Sequence, residues 1–179
     1  MLKGDGIHLR HVAEADLDAL WPLINDLELR GDYLPSVTVS EGAFRQQYRE
    51  NGFSSEEYER LLIVDDAGTL LGTTWHFKSV PYFNAREIGY ILFRQGLSNT
   101  NIVSRAVALL VDHLFKARLL NRLEIRMDVR NLASEKVAIK CGFTKEGVAR
   151  GANFVQGDHV DMAVYALLRD EWRAMKGMP

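Results

Sequence analysis

Asn131 and Ser134 stand three residues apart in the stretch N-L-A-S-E-K-V-A-I-K-C-G-F, 131–143. A carboxamide followed by a hydroxyl at this spacing can do one of two things where a strand runs into a helix. The Asn131 side chain can cap the helix by accepting from the N–H near Ser134. Alternatively its amide holds an extended, amide-bearing ligand laid between neighbouring strands. A second strand–loop–helix unit precedes it, with E-I-G-Y-I-L-F at 87–93 and the polar loop R-Q-G-L-S-N-T-N at 94–101 leading into a long apolar helix. A helix start exposes N–H groups without acceptors and carries the positive end of the helix dipole. That loop is a candidate seat for a phosphate or pyrophosphate. It contains one glycine, Gly96; Asn99 and Asn101 are the residues next best suited to left-handed backbone.

These groups need a scaffold, and the hydrophobic periodicity outlines one. Residues 7–12 alternate as a strand. Residues 14–29 read as one helix, with Leu17, Leu20, Trp21, Ile24 and Leu27 at three- and four-residue steps. Ser40 is placed to cap a second helix carrying Phe44 and Tyr48, and Ser54 or Ser55 to cap a further turn through Tyr58. The period then changes to two. Strands are expected at 60–66 and 69–77, separated by the turn D-D-A-G, and at 86–93. Residues 102–119 give the strongest helix, with Val103, Val107, Leu110 and Leu114 on one stripe and Asp112 facing Lys116 at i,i+4. In 122–129, Leu123, Ile125, Met127 and Val129 point one way and Glu124, Arg126 and Asp128 the other. A helix over 132–141 ends at Gly142, a left-handed C′ residue, with Phe143 packing back. The last strand is 159–168, and no element is assigned between 143 and 159. Adjacent strands mixed with single crossovers predict a mixed sheet with helices on its faces, in a single domain over 1–179.

Bulk composition narrows the function classes. The chain has 179 residues, 47% hydrophobic and 26% charged, with a formal net charge of −2. Acidic and basic residues are interleaved, so nucleic acid is not the expected partner. Cys141 is the single cysteine, which excludes an intrachain disulfide and a thiolate metal cluster. His8 and His11 lie three apart on a strand and face opposite sides, a poor pair for a metal; no metal is expected. The beginning of the chain lacks the apolar core of a signal peptide, and no run approaches the ~18 apolar residues of a membrane span. The expectation is a cytoplasmic protein without a membrane partner, as monomer or homodimer.

The pattern N-x-A-S-x-x-V-A-x-K-C-G-F-x-x-E-G at 131–147 resembles the signature of the GCN5-related N-acetyltransferase (GNAT) superfamily, in its RimJ/RimL-like ribosomal-protein N-acetyltransferase branch. I-H-L-R-H-V-A-E-A-D-L-D-A-L at the start, E-I-G-Y-I-L at 87–92 and G-D-H-V-D-M-A-V-Y-A-L-L-R-D-E-W at 157–172 support it by order and spacing. The resemblance implies an α+β fold of the three-layer α/β type: a mixed, largely antiparallel twisted sheet, helices on both faces, two splayed central strands. It implies acetyl-CoA as co-substrate and an amine acceptor, either a small molecule or a protein N-terminus. The pantetheine arm would lie between the splayed strands on the backbone of Ile91, Leu92 and Phe93. The pyrophosphate would rest on Ser98, Asn99, Thr100, Asn101 and Ile102, and Asn131 and Ser134 would face the thioester.

Direct attack makes three chemical demands. The amine must lose a proton, since lysine's unperturbed pKa is ~10.4; Glu87 matches the family's strand glutamate for that task, with His76, His159 and Asp161 as competitors. The thioester oxygen needs a donor, expected from a backbone N–H near Ile91 to Phe93. The departing thiolate needs a hydrogen bond, for which Ser134 is the candidate. The chain departs from the family in two places. Asn99-Thr100-Asn101 replaces the glycine-rich core of the pyrophosphate loop, and Ala138 stands where many members carry a tyrosine. The first departure motivates an alternative: a non-catalytic, GNAT-fold binding or regulatory module. Trp21, Tyr33, Tyr82 and Phe83 are candidates to line the acceptor pocket.

Overall fold

The computed structural model describes residues 1–93 and 100–178. Its strands are β1 (Leu2–Lys3), β2 (His8–His11), β3 (Tyr58–Val64), β4 (Leu70–Phe77), β5 (Ala85–Leu92), β6 (Arg122–Asp128), β7 (Thr144–Val155) and β8 (Asp158–Leu168). Its helices are α1 (Leu17–Asn25), α2 (Leu27–Arg30), α3 (Glu41–Asn51), α4 (Ile102–Ala117), α5 (Leu132–Lys140) and α6 (Arg169–Met175). The strands form one sheet in the order β1-β2-β3-β4-β5-β6-β8-β7. Six of the seven neighbouring pairs are antiparallel; β5 and β6 are parallel. The mixed, largely antiparallel sheet with helices on both faces is the expected fold.

Two cores cover the two faces. On one, α4 buries Ala106, Val107, Leu110 and Leu114 against Ile88, Leu123, Ile125 and Met127. Each fully buried leucine there is worth ~1.5–3 kcal/mol over leaving it in water. On the other, Leu17, Leu20 and Ile24 of α1 join Phe44 of α3 over Leu62, Val64 and Phe93. Asp112 does not pair with Lys116 as the i,i+4 spacing suggests. It accepts from Trp172 Nε1 and Lys176 Nζ, both at 2.8 Å, and so ties α6 to α4.

The single helix expected over 14–29 is divided. A 3-10 turn at Glu14–Asp16 leads into α1, and α1 ends at Asn25. The Asp26 carboxylate takes the N–H groups of Glu28 and Leu29 and starts α2 instead; an aspartate that bonds nearby amides competes with helix continuation. Ser40 caps α3 as expected, its hydroxyl accepting from Ala43 N–H at 3.3 Å. No helix follows Ser54 or Ser55. The Ser55 hydroxyl accepts from Tyr58 N–H in a turn that opens β3. Two strands are absent from the sequence reading: the two-residue β1, and β7, twelve residues at the opposite sheet edge. Unlike β1, β7 is long enough to have been read. It is mostly exposed and its register slips twice, between Lys145 and Gly147 and between Ala149 and Asn153. Without an apolar face, its two-residue period leaves no trace in the sequence. No helix among the described residues is long and apolar enough to cross a membrane.

Candidate active site

The central strands part after three residues. Ala85, Arg86 and Glu87 of β5 pair with Arg122, Leu123 and Glu124 of β6, and the pairing stops there. From that point β5 follows β4 as far as Leu92, while β6 follows β8 as far as Asp128. The gap is a cavity of about 660 Å³ reaching both faces of the sheet, with Ser134, Tyr90 and Lys140 on one side and Glu28, Trp75 and Glu87 on the other. Phe93 N–H is bonded to Leu71 O at 2.9 Å, on the β4 side. Amides alternate along an antiparallel ladder, so those of Ile91 and Phe93 point to β4, and those of Tyr90 and Leu92 face the gap. Of the three residues expected to present backbone to a ligand, Leu92 directs its amide into the gap. The Ile91 and Phe93 amides turn to β4 instead, and the Phe93 side chain is buried in the α1–α3 core.

The start of α4 is open. Asn101 adopts left-handed backbone, φ 59° and ψ 9°, and its side chain does not cap the helix. The first intrahelical bond runs from Arg105 N–H to Asn101 O, which leaves the N–H groups of Ile102, Val103 and Ser104 without intrahelical acceptors. No acidic residue lies in the first turn. Asn101 Oδ1 instead accepts from Lys140 Nζ at 2.8 Å, bringing a cation from the end of α5 to the open helix start. Amides without intrahelical acceptors, a positive dipole end and an ammonium suit a diphosphate. The Ile102 side chain is buried, so its contribution is the amide. Thr100 is exposed beside it; Ser98 and Asn99 lie outside the described residues. Sequence reasoning missed Val103, Ser104 and Lys140.

The start of α5 is closed. Asn131 Oδ1 accepts from Ser134 N–H at 3.0 Å, the capping option. The cap fixes Ser134 on the first turn, buried and facing β5, where its hydroxyl meets Tyr90 Oη at 2.6 Å. Burial pushes the Tyr90 phenol up to about 12, partly offset by the bond to Ser134; it is a neutral donor at physiological pH. Tyr90 can donate to Ser134, whose own proton is then free to point into the gap. Tyr90 stands within the E-I-G-Y-I-L stretch, and its position two residues past buried Ile88 was the available signal. Burial raises the Cys141 thiol to about 11, and its Sγ donates to Ser104 O at 3.3 Å.

The opposite side of the gap is built from side chains. Glu87 lies 3.5 Å from Arg126 Nε, and Arg126 also holds Glu124 at 2.8 Å. Burial raises the Glu87 carboxyl above its ordinary value, opposed by Arg126. Asp128 accepts from Arg130 Nη2 at 2.6 Å and from the Arg130 backbone N–H at 2.8 Å. Of this strand face Arg126 and Asp128 line the gap, Glu124 is held by Arg126, and both Glu124 and Asp128 are buried. Trp75 pairs with Gly89 across β4 and β5, and its indole lies where a Cβ on residue 89 would sit. Of the expected acceptor aromatics Tyr33 lines the cavity. Trp21 donates to Val39 O at 3.0 Å, anchoring the segment after α2. Tyr82 and Phe83 are exposed and pack edge to face. The competitors to Glu87 lie off the cavity. His76 is buried against Glu59 at 3.0 Å, His159 packs on Phe154, and Asp161 accepts from Gly151 N–H.

A splayed parallel pair beside an open helix start is the geometry expected for the family, and comparisons with known proteins agree. Residues 7–144 match the model of the acetyltransferase (GNAT) domain. The chain is 32% identical to "Probable N-acetyltransferase YjcK" of Bacillus subtilis (strain 168), over 96% of this chain and 98% of that protein. It is 27% identical to "Ribosomal-protein-serine acetyltransferase" of Escherichia coli (strain K12), over 93% and 94%. Among solved structures, RimL, the ribosomal L7/L12 alpha-N-protein acetyltransferase, in complex with coenzyme A superposes with a TM-score of 0.82 at 25% identity, covering 94% of this chain and 97% of that one. The chain belongs to the GNAT family of N-acetyltransferases, and its likenesses fall with the RimJ/RimL-like branch.

Proposed function

We propose that this protein transfers the acetyl group of acetyl-CoA to a primary amine, of a small molecule or a protein N-terminus, by direct attack within the gap between β5 and β6. The observation that carries the reading is the parting of these strands immediately after Glu87 and Glu124, which opens one passage between the two faces of the sheet. The diphosphate binds at the open start of α4 and Lys140. The pantetheine arm lies along β5, and the N–H of Leu92 bonds the thioester oxygen as negative charge develops there. The acceptor enters from the side of Glu87, whose raised carboxyl takes the ammonium proton directly or through water. The amine nitrogen forms its bond to the acetyl carbon, the carbon–sulfur bond breaks, and Ser134 hydrogen-bonds the departing thiolate.

The test is release of free CoA thiol from acetyl-CoA across a library of primary amines and N-terminal peptides, with calorimetry of acetyl-CoA and CoA beside it. Thiol release dependent on amine is expected. Coenzyme binding without amine-dependent release overturns the transfer. No binding at millimolar coenzyme leaves the binding or regulatory module.

A further inference from the structure

A second cavity, of about 340 Å³, adjoins the acceptor side of the gap. Arg30, Leu34, Trp75 and Ile91 line both cavities, so the two are continuous around the Trp75 indole. Two half-buried guanidiniums face it, Arg30 from the end of α2 and Arg60 from β3. Neither has a carboxylate partner among the described residues. Arg30 donates only to backbone carbonyls, to Ile24 O at 3.1 and 2.8 Å and to Pro35 O at 3.1 Å. Arg60 donates from Nε to Tyr58 Oη at 2.9 Å and lies over the Trp75 ring, 5.4 Å from its centroid. A guanidinium carries five N–H donors. The two terminal nitrogens of Arg60 therefore have no protein acceptor among the described residues. The two cations also repel: burial and Arg60 together lower the pKa of Arg30, and no acid offsets them. Arg10 and Arg122, also half-buried, hold carboxylates, Asp16 and Glu124, and Arg169, which holds none, gives its guanidinium donors to three backbone carbonyls. A planar fork with unused donors, set in an apolar cavity of Phe44, Phe53 and Trp75, fits a carboxylate bidentately.

We propose that the Arg30–Arg60 cavity is an anion subsite that binds a carboxylate carried by the acceptor. Its amine lies beyond Trp75, on the side of Glu87. The acceptor is thereby a bipolar molecule, an amino acid or a short acidic peptide, rather than a simple amine or a polycation. This assignment rests on the amine-transfer reading above, and a binding measurement separates the two. Calorimetry on the full chain without coenzyme compares glutarate with glutaramide, for the wild type and for Arg60→Gln. That variant gives up the bond to Tyr58 and the stacking on Trp75 and Phe53, and its melting temperature checks the fold. Glutarate is expected to bind at least about tenfold more tightly than glutaramide, and Arg60→Gln to lose that margin. Glutarate binding that is absent, or insensitive to Arg60→Gln, overturns the subsite whatever the enzyme's activity. Phosphate that binds more tightly than glutarate, with the loss on Arg60→Gln, overturns the carboxylate assignment. In turnover, amines bearing a free carboxylate are expected to exceed their carboxamide partners about tenfold in kcat/KM, a preference lost in Arg60→Gln. Arg60-dependent glutarate binding with no amine acetylated keeps the subsite and sinks the transfer reading.

Discussion

Two helices begin with asparagine at the edge of the gap, and they do opposite things with it. At α5 the side chain of Asn131 turns inward and takes the N–H of Ser134; at α4 the side chain of Asn101 turns away to Lys140 and leaves the first amides open. The difference lies in backbone. Asn131 has φ −80°, which lets its carboxamide reach forward over the first turn, whereas Asn101 sits at φ 59°. One residue type thus closes a helix to hold a hydroxyl still and leaves another uncapped by its side chain. A capping residue is defined by its conformation as much as by its chemistry.

The sharpest test of the closed start is Ser134→Ala. It is expected to lower kcat by roughly 10², the lower range for loss of a positioned proton donor, with CoA affinity nearly unchanged by calorimetry. Unchanged turnover would remove the hydroxyl from the chemistry. Glu87 stands at neither helix start and should respond differently. With its carboxyl raised by burial, the base is active when deprotonated, so kcat/KM should fall as pH drops through that raised value. Glu87→Gln should lose both the acid limb and about 10² in rate; a limb that persists assigns the base elsewhere. For the open start, Asn101→Asp places a negative charge at the proposed diphosphate site. A weakening of CoA binding by about tenfold is expected, while the melting temperature holds or rises, because an acid at a helix N-terminus favours the helix. Affinity and stability falling together would mean that the open start serves the fold alone. The smallest effect belongs to Asn131→Ala, which should cost ~1 kcal/mol of stability through the lost cap, read as a drop of about 2–4 °C in melting temperature. CoA affinity should change little.

The starts of α4 and α5 were legible in the sequence because they are made of local features. Helix starts, a capping spacing and a left-handed asparagine are set within a few residues. The strong stripe of α4 and the alternation of β6 placed them correctly. The opposite side of the gap was named in the sequence only at Glu87 and Tyr33, since Arg30, Trp75 and Arg126 come from three separate elements and meet only through the fold. Glu124 and Asp128 misled for a related reason: polar residues alternating with apolar ones imply water on the polar face, yet here both carboxylates are buried beside arginines. The edge strand β7 escaped because nothing buries most of its side chains.

The three-residue join between β5 and β6 bears on more than ligand entry. It makes the sheet two blades, β1 to β5 and β6 with β8 and β7, stitched by Ala85, Arg86 and Glu87 and by the helices that straddle them. Any molecule filling the wedge grips both blades at once and serves as a removable clasp. At a hundred times its dissociation constant such a clasp would add about 2.7 kcal/mol to the folded state. The enzyme would be stiffest when charged with coenzyme and loosest between turnovers.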